Sequence, residues 1–156
     1  MKSQMLCVAV GILWLITVAF IGWFFVKGWT TPSTDGRTEI VLEPSERDLI
    51  LAEMRELLKA VSGVVQGLGD SLPGQASVAA RAAGMHMAAD VNPVLMGKLP
   101  LAFKQLGMSI HHDMDGLADA AAAGESSQQI LKRLAAITSR CTTCHDMYRF
   151  GTEKGR

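Results

Sequence analysis

Near the C-terminus two thiols stand three positions apart and an imidazole follows at once: Cys141-Thr142-Thr143-Cys144-His145. This spacing is the attachment signature of a c-type haem. Two cysteines so placed can each add a sulfur across one vinyl group of the same porphyrin, which fixes the ring. The adjacent His145 then lies under the iron and can supply its proximal nitrogen. The expectation is one covalently attached haem c, bound through Cys141 and Cys144, with His145 on the metal.

Other chemistry fits these residues less well. A structural zinc site wants four ligands, usually as two pairs. The third cysteine, Cys7, lies inside an apolar N-terminal run and cannot complete such a set. It reads as a packing residue, since no lipid-attachment box precedes it. A thioredoxin-like dithiol opens a helix after a strand and needs no histidine. Here the motif falls late in a helical pattern.

The elements that must position this motif are helices. Ser45 with Asp48 three residues on resembles a helix start. Apolar residues then recur at Ile50/Leu51, Met54, Leu57/Leu58, Val61, Val64/Val65 and Leu68, a helical period. The turn Asp70-Ser71-Leu72-Pro73-Gly74 ends this helix. An alanine-rich second helix is expected from about Gln75 to Asp90, before Asn92-Pro93. A third begins near Pro100 and fades around Ala123-Gly124. A fourth is capped by Ser126 or Ser127 and carries both thiols to about Phe150. No segment alternates like a half-buried strand. The fold class expected is all-α: an N-terminal transmembrane helix, then an up-down-up-down four-helix bundle carrying one haem.

Met5 to Val26 is a stretch of 22 residues without a charge. As helix it spans about 33 Å, enough for a hydrocarbon core of about 30 Å. A cleaved leader has a shorter apolar stretch and a small-residue cleavage site, and this run has neither. Residues 1–27 therefore read as an uncleaved signal-anchor, with Trp23 and Trp29 at headgroup level. Residues 28–44, rich in Thr, Gly, Pro and Ser, read as a linker that could stretch to about 60 Å and leave the head unpinned. The run Ile40-Val41-Leu42 is a candidate to dock on the head. The domain proper is 45–156.

Fifteen basic side chains balance fifteen acidic ones, so nothing global points to nucleic acid. No nucleophile–base–orienter set and no glycine-rich phosphate cradle is visible, so the chain does not read as an enzyme. Basic residues around the last helix (Lys132, Arg133, Arg140, Arg149, Lys154, Arg156) would favour an acidic partner if they formed one face. The adjacent His111 and His112 cannot share a helix face, and they read as solvent-facing or as lying on the propionate side of the haem.

A helical head ending in Cys141-Thr142-Thr143-Cys144-His145-Asp146-Met147-Tyr148-Arg149 resembles the class II c-type cytochromes, the cytochrome c-prime and cytochrome c-556 group. The resemblance covers about residues 45–150 and leaves out the anchor. It implies thioether links at Cys141 and Cys144 and a proximal ligand at His145. Lys2 against Lys27 and Arg37 leaves the positive-inside balance near even, so charge does not set the orientation; the resemblance does, because it implies attachment outside the cytoplasm. The C-terminal domain would then face the periplasm of a bacterium, anchored in the inner membrane by a single pass.

In that group the first helix covers the far side of the iron. Methionine there makes a six-coordinate electron carrier; an apolar residue leaves an open, gas-binding iron. Met54 is the candidate distal ligand, Leu58 the candidate for an open site, and Met85, Met87 and His86 are further candidates. The resemblance thus implies electron transfer to periplasmic or membrane redox proteins, with binding or sensing of nitric oxide or carbon monoxide as the alternative. Bundles of this group often pair through their first helices, which raises a homodimer.

Overall fold

In the computed structural model, which describes residues 2–88 and 92–152, the chain is mostly helical. The end expected for the second helix at Asp90 lies outside those residues, as do Lys154, Arg156 and the side chain of Lys2. Among the described residues there are six α-helices. They are α1 (Lys2–Lys27), α2 (Pro44–Gly69), α3 (Pro73–Ala82), α4 (Pro93–Lys98), α5 (Leu101–Ala122) and α6 (Ser127–Met147). Helix α1 has a mean hydropathy of 2.5 over its apolar window, none of it buried against protein, and is long and apolar enough to cross a membrane.

Local chemistry explains the helix ends. Pro44 opens α2, where its missing N–H costs nothing, and the Glu46 carboxylate accepts from the Glu43 N–H at 2.9 Å. Ser126 caps α6 by accepting from the Gln129 N–H, while the Gln129 amide oxygen accepts from the Ser126 N–H at 3.1 Å. The alanine-rich segment is shorter than its composition predicts. Helix α3 stops at Ala82 and a 3₁₀ turn follows over Met85–Ala88. Asp115 on α5 ends it by accepting the Met85 N–H at 2.8 Å and filling the space beside Gly84.

Residues of α2, α3, α5 and α6 build one apolar cluster around Val64, Ala76, Ala80, Met114, Leu117, Ile130 and Ile137. The seam between α2 and α3 is close because Gly63 and Gly67 lack side chains. A Cβ on Gly67 would stand 2.6 Å from the Ala76 nitrogen. Arg81 on α3 pairs with Asp115 at 2.9 Å and with Asp119, and so joins α3 to α5.

Strands are present, against the expectation of none. Thr30–Pro32 (β1) pairs antiparallel with Thr38–Leu42 (β2), and β2 pairs parallel with Tyr148–Thr152 (β3). Helix α6 therefore ends at Met147 rather than near Phe150. The fully buried Ile40 and Leu42 alternate along β2, as a half-buried strand requires. They join Ile50, Leu95, Leu99 and Phe103 in a second cluster, with Tyr148 and Phe150 edge-on to Phe103. The Ile40–Leu42 run does dock, and about half of the stretch expected to be a loose tether is sheet. Periodicity missed it because β1 spans only three residues and β2 carries three apolar residues in a row, Ile40-Val41-Leu42, which show no alternation.

Candidate functional site

Along α6, Ile137, Cys141 and His145 recur every four residues and share one face, with Cys144 beside them. This face looks across to the first half of α2. The two helices touch little over that length, and between them lies a cavity of about 460 Å³. Helix α6 contributes Ile137, Thr138, Cys141 and His145; α2 contributes Leu51, Met54, Leu58 and Val61 among others; Ile110 and Met114 of α5 form the back wall. A second cavity of about 190 Å³ continues from it, sharing Leu51, Met54 and His145 and adding Cys144, Tyr148 and three guanidinium groups, Arg37, Arg47 and Arg149. The result is a slot, apolar along one length and lined along the other by arginines, of which Arg37 and Arg149 are paired with Asp35 and Glu39.

The structure thus brings Cys141, Cys144, His145, Met54 and Leu58 to one slot. Among the described residues, the other candidate ligands Met85 and Met87, and the paired histidines His111 and His112, do not line it. Met85 lines a separate open groove with Met108 and His112. Met87 packs against the main apolar cluster. His111, expected on the surface or near the propionates, is buried instead, with Nδ1 2.9 Å from the Ala83 carbonyl oxygen. His112 is exposed and contacts Asp113 at 3.2 Å.

Two sets of lining residues went unrecognised in the sequence. Met114 was legible only as one more apolar position on its helix, and it faces the slot from α5. The guanidiniums of Arg37 and Arg149 arrive through the sheet, which the pattern did not reveal. Arg37 is held by Asp35 through two bonds of 2.6 and 2.9 Å and reaches the His145 carbonyl oxygen at 3.3 Å. Arg149 pairs with Glu39 at 3.1 Å.

Both thiols are half-buried in apolar surroundings. Burial pushes the Cys141 thiol up, and burial with the neighbouring Cys141 pushes Cys144 up to about 11. A reactive dithiol shows the reverse, because its attack depends on the thiolate. The burial of Cys141 and Cys144 favours the protonated thiol at neutral pH. Among the described residues, no three His, Cys, Asp or Glu side chains gather as a metal site.

Among the described residues, the basic side chains around α6 do not form one free face. Arg133 is paired with Glu125 at 2.8 Å, Arg140 with Asp113 at 2.6 Å, and Arg149 as above. Such pairing neutralises most of the charge a partner would feel.

No protein-family model, curated protein or solved structure matches this chain. The chemistry of the slot rests on its own residues.

Proposed function

We propose that this chain is a membrane-anchored, periplasmic mono-haem c-type cytochrome of the class II kind, a four-helix bundle that passes single electrons and has no substrate of its own. The observation that carries this reading is the slot: the Cys-x-x-Cys-His motif forms one wall, and a methionine-bearing apolar helix forms the other.

The slot fits a macrocycle with two acidic edge groups. Its apolar length, lined by Leu51, Leu58, Val61, Ile110 and Ile137, would cover the ring faces, and Arg47, together with Arg37 and Arg149 once shared with Asp35 and Glu39, would be available to acidic edge groups. Cys141 and Cys144 would hold the group covalently, and His145 would take the proximal side of the iron. When bound, haem supplies a centre that exchanges one electron between its ferrous and ferric states. The chain's residues do the rest. Apolar walls exclude water, and Met54, on the opposite helix but lining the same cavity as His145, offers the thioether that raises the potential of a histidine-ligated iron. Helix α1 would hold the protein in the inner membrane near periplasmic or membrane-bound redox partners.

The presence of Leu58 in the same wall favours a second reading, an open iron that binds nitric oxide or carbon monoxide. Carbon monoxide added to the reduced protein separates the two. An unchanged spectrum supports the carrier, and a prompt shift supports the ligand-binding module.

The test of both is expression with haem-maturation machinery. The mature chain is expected to gain the mass of one haem and to give a pyridine haemochrome with both vinyl groups consumed. A colourless product weighing only its amino acids ends the proposal.

A further inference from the structure

We propose that the head rests on the bilayer through α4 and the Gly28–Trp29 junction, so that this surface is a lipid contact. The inference rests on α1 being a membrane anchor and is independent of haem.

The junction leaves no slack. Only Gly28 and Trp29 separate α1 from β1. Gly28 has φ +67° and presses on the end of α4, where a Cβ would lie 2.5 Å from the Lys98 carbonyl oxygen. The Trp29 N–H donates to that same oxygen at 2.7 Å, and the Trp29 carbonyl accepts from Val41 at 2.9 Å. Lys104 of α5 closes the joint. Its side chain is buried, its ammonium donates to the Phe25 carbonyl at 3.3 Å and to the Met96 carbonyl at 3.2 Å, and it sits 3.8 Å from the Phe25 ring centre. A cation over the last carbonyls of a helix is stabilised by the helix dipole, and an aromatic face adds to this. One lysine thus ties α1, α4 and α5 together.

Position then follows from length. Helix α4 is six residues long, about 9 Å, and its last residue touches Gly28. All of α4 therefore lies within about 10 Å of the end of the anchor. The interfacial layer of a bilayer is about 5–8 Å deep on each side of the hydrocarbon core. The end of α1, with Trp23 and Trp29 exposed around it, belongs in that layer, so α4 lies in it or at its edge. While α4 buries Leu95 in the head, it leaves Val94 64% exposed. An apolar side chain held at this depth gains by entering the headgroup region.

The head also has a far end for comparison. Helix α2 leaves the joint at Glu46, which holds Lys98 at 2.7 Å, and meets α3 at Gly63, about 25 Å further along its axis. Val78 on α3 is as exposed as Val94 but belongs to that end.

The experiment places the photo-reactive residue p-benzoylphenylalanine at Val94, Val78 or Phe20 in the full chain, reconstituted in nanodiscs of phosphatidylethanolamine and phosphatidylglycerol. Lipid adducts are counted by mass spectrometry. Phe20, within the anchor, and Val94 are expected to give adducts, and Val94 at least tenfold more than Val78. Lys104→Met, which keeps the bulk but removes the ammonium, is expected to lower the Val94 yield several-fold and leave Phe20 unchanged. Equal yields at Val94 and Val78 with Phe20 labelled overturn the proposal, as do adducts at Val94 to a second polypeptide in place of lipid. An unchanged Val94 yield in Lys104→Met overturns the clamp that positions it. Failure of Phe20 to label removes the anchor and the lipid seat together, and the haemochrome measurement is unaffected by any of these results.

Discussion

Met54 and Met114 are the two thioethers that line the slot, and they differ in what surrounds them. Met114 is fully buried within the apolar cluster, whereas Met54 is half-exposed and lines both parts of the slot with His145. On the proposed cytochrome reading, Met54→Ala is expected to convert a low-spin haem to a high-spin, gas-accessible one at lower potential. Met114→Leu, a near volume-conserving change, should leave the spectrum alone and cost less than about 1.5 kcal/mol. Absorption spectra of the two variants decide, and an unchanged Met54→Ala spectrum would remove that residue from the iron. Cys144 offers a check without haem. Its thiol is pushed up to about 11, so at pH 8 about one in a thousand is ionised, against about one in ten for an ordinary thiol near 9. Iodoacetamide should label Cys144 of the haem-free chain slowly. The rate should climb about tenfold per pH unit until near 11, because the raised value keeps the proton on longer. Fast labelling at pH 8 would mean an activated thiolate. At this scale the Cys141, Cys144 and His145 motif was legible from residue types and spacing, because that pattern is local, whereas Met54 was singled out only by the resemblance to the class II cytochromes. Met114 and the arginines were not, because their roles depend on what lies opposite.

Helices declare themselves through caps and periodicity, and here most did. Ser126 starts α6 where a serine before an apolar run should. Leu101 follows Pro100, and α2 runs as far as its apolar stripe. The seam between α2 and α3 is set by glycine. Gly67→Ala is expected to destabilise by about 1–3 kcal/mol despite alanine's better helix propensity, since its methyl group would meet the Ala76 backbone. Gly69→Ala on the same helix meets nothing within 4 Å and should be neutral to stabilising, so thermal melts of the pair isolate the close approach. The sheet was illegible for a different reason. Strand β3 continues directly from α6, and its register with β2 joins residues more than a hundred positions apart. Ile40→Ala should cost about 2–5 kcal/mol, the price of a cavity in the second cluster rather than of a loosened tether.

At the scale of the whole molecule, two apolar clusters divide the labour. One holds α3 and the far half of α2 against α5 and α6, and the other packs the sheet, α4 and the start of α2 under the motif. Neither contains a residue of α1. A chain beginning at Gly28 is therefore expected to remain folded, with a melting midpoint within about 4 °C of the full chain in detergent, a change of about 1 kcal/mol. A collapse of the helical signal on truncation would show that the anchor is part of the fold. By itself the sequence determined what is written locally: the Cys-x-x-Cys-His spacing, the apolar run long enough for a bilayer, and the stripes and caps of the helices. Only the tertiary structure decided what faces what: that Met54 and Leu58 share a slot with His145 while His111 turns into the core, that arginines gather at one end, and that the linker folds back as sheet. The division is physical. Helix periodicity and thioether spacing act over a few residues, whereas a parallel strand pair or a lysine bridging three helices is stable only once distant segments have already packed.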